Sequence, residues 1–262
     1  MNNKGGPRHP EYDLANSAAN PLVERWRGAR ALSQWILGMP FMNRRIVRNA
    51  KTPKHARDMI RIHCQKALQV VRLHVEVTGE PPKIGQGCVV TYNESSFVDV
   101  LAYGSVMWDH IDRAAAAELY GKLPFAKEAC AKAKIELVPR GDRDGTERLM
   151  NRMVGAVQAG ERLGWGAEGR LTGKDGIAWF KIGASLIAIR GGVPLIPVVY
   201  YGGHQSMPLG SLRARPGKIS VRFGTPISTT GIPEQDARDF AGAAQEIMSH
   251  MYEDLRAERG AL

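Results

Sequence analysis

Residues 88–107 read CVVTYNESSFVDVLAYGSVM. The first five, Cys88 to Tyr92, are mostly β-branched or aromatic and short enough for a strand. Asn93, Glu94, Ser95 and Ser96 follow, residue types that begin turns and cap helices. From Ser95 to Met107 the pattern predicts a helix. A strand, a turn and a helix in so short a stretch form the front half of a βαβ unit.

The same alternation extends both ways. Upstream, residues 55–73 read as a helix, with Met59, Ile62, Ala67, Val70 and Leu73 near one face. Leu73 to Val77 reads as a strand, parted from Cys88 by the turn-rich GEPPKIGQG. Residues 21–50 read as short helices broken at Gly38 and Pro40. Downstream, Ile135 to Val138 is a short strand and Thr146 to Leu163 a helix. Val193 to Tyr201 is an apolar β-branched run, and Lys218 to Phe223 alternates as a strand. A last helix begins near Pro233, with Phe240, Ala244, Ile247, Met251 and Leu255 in one stripe. The predicted fold class is α/β, a mostly parallel sheet flanked by helices. Three parts are expected: a loose arm (1–20), a basic amphipathic helical segment (21–75) and an α/β domain (76–262).

The chain has 262 residues, 36 Lys and Arg against 26 Asp and Glu, and 44% hydrophobic residues. That is globular composition, long enough for a substantial core. Gly and Pro, 29 and 15 residues, follow no collagen-like or low-complexity pattern. Cys64, Cys88 and Cys130 cannot build a disulfide framework and none sits in CxxC spacing, so a reducing compartment is expected. The opening MNNKGGPRHPEYD lacks the apolar core of a signal peptide. No stretch approaches the roughly 18 apolar residues of a membrane-spanning helix. Secreted, disulfide-rich and multi-spanning classes are therefore not expected.

The net charge of +10 is concentrated. Between Pro21 and Ile62 the basic residues are Arg25, Arg27, Arg30, Arg44, Arg45, Arg48, Lys51, Lys54, Arg57 and Arg61, opposed only by Glu24 and Asp58. Trp26, Trp35, Leu37, Phe41 and Ile46 lie among them. Arginines and tryptophans interleaved on helices suit the headgroup layer of an anionic membrane, where each basic residue contributes about 1 kcal/mol. An amphipathic hairpin packed on its own domain would show the same pattern. A nucleic-acid partner is not expected, because no zinc spacing, aromatic RNP motif or basic zipper accompanies the charge. The localisation that follows is peripheral, on the cytoplasmic face of a membrane.

Four segments could carry chemistry. In Asn93-Glu94-Ser95-Ser96-Phe97-Val98-Asp99 the two carboxylates are five residues apart. On an ideal helix they would point some ~140° apart. They converge only if Glu94 lies in the turn before the helix and Asp99 in its first turn. Helix capping alone also explains the segment. In Gly166-Ala167-Glu168-Gly169-Arg170-Leu171-Thr172-Gly173 a glycine turn and a guanidinium suit an anion. The other two segments are Glu118-Leu119-Tyr120-Gly121-Lys122-Leu123-Pro124-Phe125, leading to Val138-Pro139-Arg140-Gly141, and Gly192-Val193-Pro194-Leu195-Ile196-Pro197-Val198.

Together, and in this order, they resemble the four motifs of the glycerolipid acyltransferase family, the 1-acylglycerol-3-phosphate and lysophospholipid O-acyltransferases. NESSFVD resembles N-H-x-S-x-x-D. ELYGKLPF with VPRGD resembles the second motif, and GAEGRLTG the Glu-Gly-Arg form of the third. GGVPLIPV resembles the fourth, with Phe180-Lys181-x-Gly183 and Val221-Arg222-Phe223-Gly224 on the flanks. The resemblance covers about Leu73 to Ile227.

What it implies is an O-acyltransferase. An acyl chain would pass from acyl-CoA or acyl-carrier protein, the donor taking the place of any cofactor, to the hydroxyl of a lysophospholipid or glycerol-phosphate-like acceptor. No metal is implied. The family's histidine base falls on Glu94 here, and its aspartate on Asp99. Acceptor binding falls on Asn93, Ser96, Lys122, Arg140, Glu168, Gly169, Arg170 and Thr172. Ala167 stands where proline is usual, and Ala116 and Ala117 where many members have a lysine. A carboxylate has a pKa about two units below an imidazole, so Glu94 needs burial or a like charge to serve as base. His110 and His204 are more distant candidates. The alternative is a relative without the base that binds lipid or acyl carrier protein without turnover.

Overall fold

The computed structural model describes residues 20–260, so the expected arm lies outside the described residues except for Asn20. Helix α1 (Pro21–Asn49) starts where the Asn20 side chain accepts a hydrogen bond from the Leu22 amide, with Pro21 at the first helical position. Helix α2 (Pro53–Val71) starts likewise from Thr52 and Pro53. Then come β1 (Leu73–Thr78), β2 (Cys88–Tyr92), α3 (Phe97–Val106), β3 (Arg113–Ala117), α4 (Ala126–Ala133) and β4 (Ile135–Val138). The chain continues through α5 (Arg143–Gln158), β5 (Arg162–Gly166), α6 (Gly183–Gly191), β6 (Leu195–Tyr201), a single helical turn at Gly203–Ser206, β7 (Gly217–Phe223) and α7 (Ala237–Gly260).

Among the described residues seven strands form one sheet in the order β1-β7-β6-β2-β5-β3-β4. Every pairing is parallel except β6 with β7. Central β2 is buried along its whole length. Its Cys88, Val90 and Tyr92 pack on one side with Leu68 and Val71 of α2 and Leu101 of α3. Its Val89 packs on the other with Leu149 and Met153 of α5, Ile187 of α6 and Met248 of α7. A strand covered on both faces reads as a continuous apolar run, which is what CVVTY is.

Three local expectations give way to tertiary packing. The segment 21–50 is one continuous helix, with Pro40 inside it. Proline removes one helical hydrogen bond, here the one to the Ile36 carbonyl, and the helix runs on through it; one residue earlier, His63 of α2 bonds the Trp35 carbonyl through Nε2 at 3.0 Å. Residues 146–163 do not form one helix: α5 stops at Gln158, and Gly160 turns at φ 90° into β5. The alanine run of β3, which no sequence pattern assigns, is a strand because β4 and β5 pair with it, overriding alanine's helical preference. On α7 the core stripe is Phe240, Ala244, Met248, Tyr252 and Leu255, and Ile247 is exposed.

Buried Glu24 ties α1 to the loop before β7. Arg213 Nε and Arg215 Nε lie 2.7 and 3.2 Å from its carboxylate. The Ala214 amide donates to the Glu24 carbonyl, and Arg27 donates to Ala214 O. A buried carboxylate is tolerated only with such partners. The opposite side of α1 leaves Leu22, Trp26, Leu37 and Phe41 exposed, Phe41 at 75%. No helix among the described residues is long and apolar enough to cross a membrane.

Candidate active site

The site lies at the carboxyl ends of β2, β5 and β6, on the edge where open parallel sheets bind ligands. Asn93 continues β2 by side-chain bonds: its Nδ2 donates to Tyr200 O and its Oδ1 accepts from Tyr200 N, at 3.0 and 2.8 Å. Both polar ends are thus spent on β6. Ser96 caps α3, accepting from the Val98 amide and donating to Met207 O.

Between them Glu94 sits in the turn and Asp99 in the first turn of α3, the arrangement that lets the two converge. Asp99 is buried. Its Oδ2 accepts from the amides of Ser95 and Ser96, both at 2.9 Å, and from Ser95 Oγ at 2.7 Å. Its Oδ1 rests against Gly203, where any Cβ would overlap it. Asp99 therefore holds the backbone of the turn and does not bond the Glu94 side chain.

Glu168 grips the same turn from β5. It is buried, and its Oε2 accepts the Glu94 amide at 2.8 Å while Oε1 accepts the Ala178 amide at 2.7 Å. The loop after it returns to the turn: the Thr172 and Gly173 amides donate to the carbonyls of Glu94 and Ser95 at 3.0 and 3.1 Å. Thr172 Oγ1 adds a bond to Glu94 O at 3.3 Å. The reversal is made at Gly169, φ 69°, a conformation that disfavours a side chain.

The Glu94 carboxylate itself has no hydrogen-bond partner among the described residues. Its Oε2 lies beside Gly166 and the Tyr92 ring. Burial pushes its pKa up to about 7, and the charges of Asp99 and Glu168 push the same way. Burial likewise raises Asp99 and Glu168, against the hydrogen bonds that favour their charged forms. A carboxylate in this setting is far more basic than one in water.

Around it the expected binding residues divide. Arg140 Nη2 donates to Gly169 O at 3.3 Å, and its amide donates to Glu118 at 3.4 Å, joining the second motif to the third. Arg170 and Lys122 are exposed, and neither side chain makes a hydrogen bond or ion pair among the described residues. Lys122 ends the turn Glu118–Lys122 and makes no bond to the Gly169 loop. The structure adds Lys181, whose stem packs beside Gly169. Its place in Phe-Lys-x-Gly was the available signal, but spacing alone did not mark it as part of this edge. His110 stacks edge-on against Phe223 near the opposite end of the sheet. His204 shares the site edge, but it is Gly203 that meets Asp99.

An apolar cavity of about 140 Å³ lies near the site, with none of Glu94, Asp99 or Glu168 in its lining. It lies between α1, α2, α3, α4 and β3, lined by Trp35, Met39, Ile46, Cys64, Gly104, Ala114, Ala116 and Ile135 among others. Tyr103 and Tyr120 also line it, and the Tyr103 ring packs at 4.4 Å on Tyr92, which with Glu94 Oε2 flanks Gly166. Among the described residues no cluster of His, Cys, Asp or Glu could hold a metal ion.

One edge of the sheet thus holds a basic carboxylate and an arginine-bearing glycine turn, with an apolar cavity nearby. Residues 74–201 match the family described as Acyltransferase. A Caenorhabditis elegans protein described as a candidate 1-acyl-sn-glycerol-3-phosphate acyltransferase is 24% identical over 190 residues, spanning 71% of this chain and 67% of its own. The 1-acyl-sn-glycerol-3-phosphate acyltransferase alpha of Mus musculus is 25% identical over 205 residues, spanning 76% and 71%. The crystal structure of the 1-acyl-sn-glycerophosphate acyltransferase PlsC of Thermotoga maritima matches with a TM-score of 0.68 at 20% identity, over 90% of this chain and 96% of that one. At that identity the likeness shows the fold. Residues 74–201, just under half of the chain, thus carry an Acyltransferase domain, and together with the relatives' descriptions they support an O-acyltransferase.

Proposed function

We propose that the protein moves a fatty acyl chain from the thioester of acyl-CoA or acyl-carrier protein to the hydroxyl of a lysophospholipid or glycerol-phosphate-like acceptor, at a membrane surface. Glu94 is the general base. It takes the hydroxyl proton as the acceptor oxygen attacks the thioester carbonyl carbon. The carbon–sulfur bond then breaks, and the departing sulfur takes the proton back from Glu94. Asp99 does not touch the reacting atoms. It fixes the turn and, by its charge, makes Glu94 more basic. The acyl chain occupies the apolar cavity. The acceptor's phosphate lies against the Gly169 turn, with Arg170 nearest in sequence and Arg140 and Lys181 beside it.

The observation that carries this reading is the unpartnered Glu94 carboxylate, made basic by its surroundings and set near the apolar cavity. The exposed stripe of α1, with Arg30 stacked over Trp26 at 5.1 Å, supports action at a lipid surface. Its test is acyl transfer from palmitoyl-CoA and palmitoyl-carrier protein to lysophosphatidic acid by the purified chain, Glu94→Gln and Glu94→His. Steady turnover that Glu94→Gln loses supports Glu94 as base. An inert wild type that gains activity only as Glu94→His removes it, and lipid binding without turnover points to the non-catalytic alternative.

A further inference from the structure

We propose that Asp175 is a positioning residue that locks the two halves of the site together, an inference that rests on the acyl-transfer reading for its kinetic arm. Asp175 lies at the tip of the loop between Glu168 and Ala178. Its Oδ1 accepts from Tyr252 Oη and Gln205 Nε2, each at 2.7 Å, and Arg256 Nη2 lies 3.2 Å away. Arg256 Nη2 also reaches the Asp175 carbonyl at 3.5 Å.

These partners come from two other parts of the fold. Tyr252 and Arg256 belong to α7, and the Tyr252 ring is buried against Tyr201 at the end of β6. Gln205 belongs to the helical turn whose Gly203 abuts Asp99 Oδ1. The loop that carries Asp175 is the one whose Glu168, Thr172 and Gly173 hold the backbone of Glu94 and Ser95. One carboxylate thus joins the loop behind Glu94, the turn behind Asp99 and a rigid helix. The loop has no regular secondary structure, so its shape depends on such ties. Asp175 itself keeps 43% of its side chain exposed. Ion pairs so exposed add little to global stability, so the consequence of removing this one falls on local order and catalytic geometry.

The test compares Asp175→Ala with Asp175→Asn, which keeps an oxygen for Tyr252 and Gln205. Amide hydrogen exchange at Thr172, Gly173 and Ala178 is expected to quicken at least tenfold in Asp175→Ala and stay near wild type in Asp175→Asn. Exchange at Val89 and Val90 of β2 and the melting temperature should not move. In turnover, Asp175→Ala should lower kcat about tenfold or more with the acyl-donor KM within twofold, and Asp175→Asn should recover most of it. Unchanged exchange at the three amides in Asp175→Ala overturns the proposal. So does an active wild type whose kcat is indifferent to Asp175→Ala. Quickened exchange in a chain without turnover keeps the lock and removes the acyl-transfer reading instead.

Discussion

Glu168 carries Glu94 by its backbone: Oε2 accepts the Glu94 amide at 2.8 Å, while the other oxygen takes Ala178 at 2.7 Å. One buried carboxylate thus fixes both the turn that presents the base and the far end of the loop. Glutamine can offer only one oxygen, and its amide would face a backbone N–H. Leaving one such buried donor unmade costs about 1–3 kcal/mol. Glu168→Gln is expected to lower kcat at least tenfold and the melting temperature by a few degrees, read by steady-state kinetics and calorimetry on the same preparation.

Glu94→Gln keeps the volume of the side chain and removes the base. A drop in kcat of about 10²–10⁴-fold is expected, with donor binding retained. Because Glu94 must be ionised to act, wild-type kcat/KM should rise with pH through about 7. Stability should run the other way. The folded state holds a proton on Glu94 that the unfolded state has released between about 4.5 and 7, so unfolding free energy falls as pH rises across that window. Thermal melts of wild type and Glu94→Gln between pH 5 and 8 check this. The variant should gain on wild type only at the upper end.

Gly203 is required by Asp99. A methyl group there has no room beside Oδ1, and moving Asp99 would strand the Ser95 and Ser96 amides. Gly203→Ala is expected to cost about 1–3 kcal/mol and most of the activity. If it melts and turns over like wild type, the account of Asp99 as the holder of the turn fails.

Ala116 lines the apolar cavity from β3. Ala116→Leu should leave folding intact and shift donor preference toward shorter chains, since each methylene that no longer fits forfeits about 0.8 kcal/mol. Competition between short-chain and long-chain acyl donors reads the shift. Equal loss for all lengths would place the acyl chain elsewhere.

Leu37 and Phe41 are exposed on α1, with no partner in the core to justify them. Their replacement by aspartate should leave the melting temperature unchanged and weaken sedimentation with anionic vesicles by tenfold or more. Neutral vesicles should bind the wild type less well, since the basic residues of α1 contribute only with anionic lipid.

The turn from β2 to α3 was legible in the sequence because its signals are local. A five-residue apolar run, capping residues and an apolar helix each act within a few positions. The same locality misled at Pro40 and at residues 146–163. Whether a proline breaks a helix is decided by the packing of the whole element, and β5 is a strand because β2 and β3 flank it. Among the candidate residues expected to bind acceptor, Glu168 and Thr172 use their polar groups on the backbone of Glu94. Asn93 and Ser96 turn out to use their polar groups on Tyr200 and Met207. Lys181 was in view only within a flanking motif and Asp175 not at all, because nothing in spacing says where a loop without regular structure will fold back.

The sequence by itself determined the alternation of strands and helices, the concentration of charge in the first helices and the order of the four motifs, since these depend on residue type and near neighbours. The tertiary structure alone decided that three acidic side chains would crowd one end of the sheet and that a glutamate there would bind its proton so tightly. Basicity of that kind comes from the removal of water and the approach of like charges, and both require parts of the chain some 70 residues apart to be brought together.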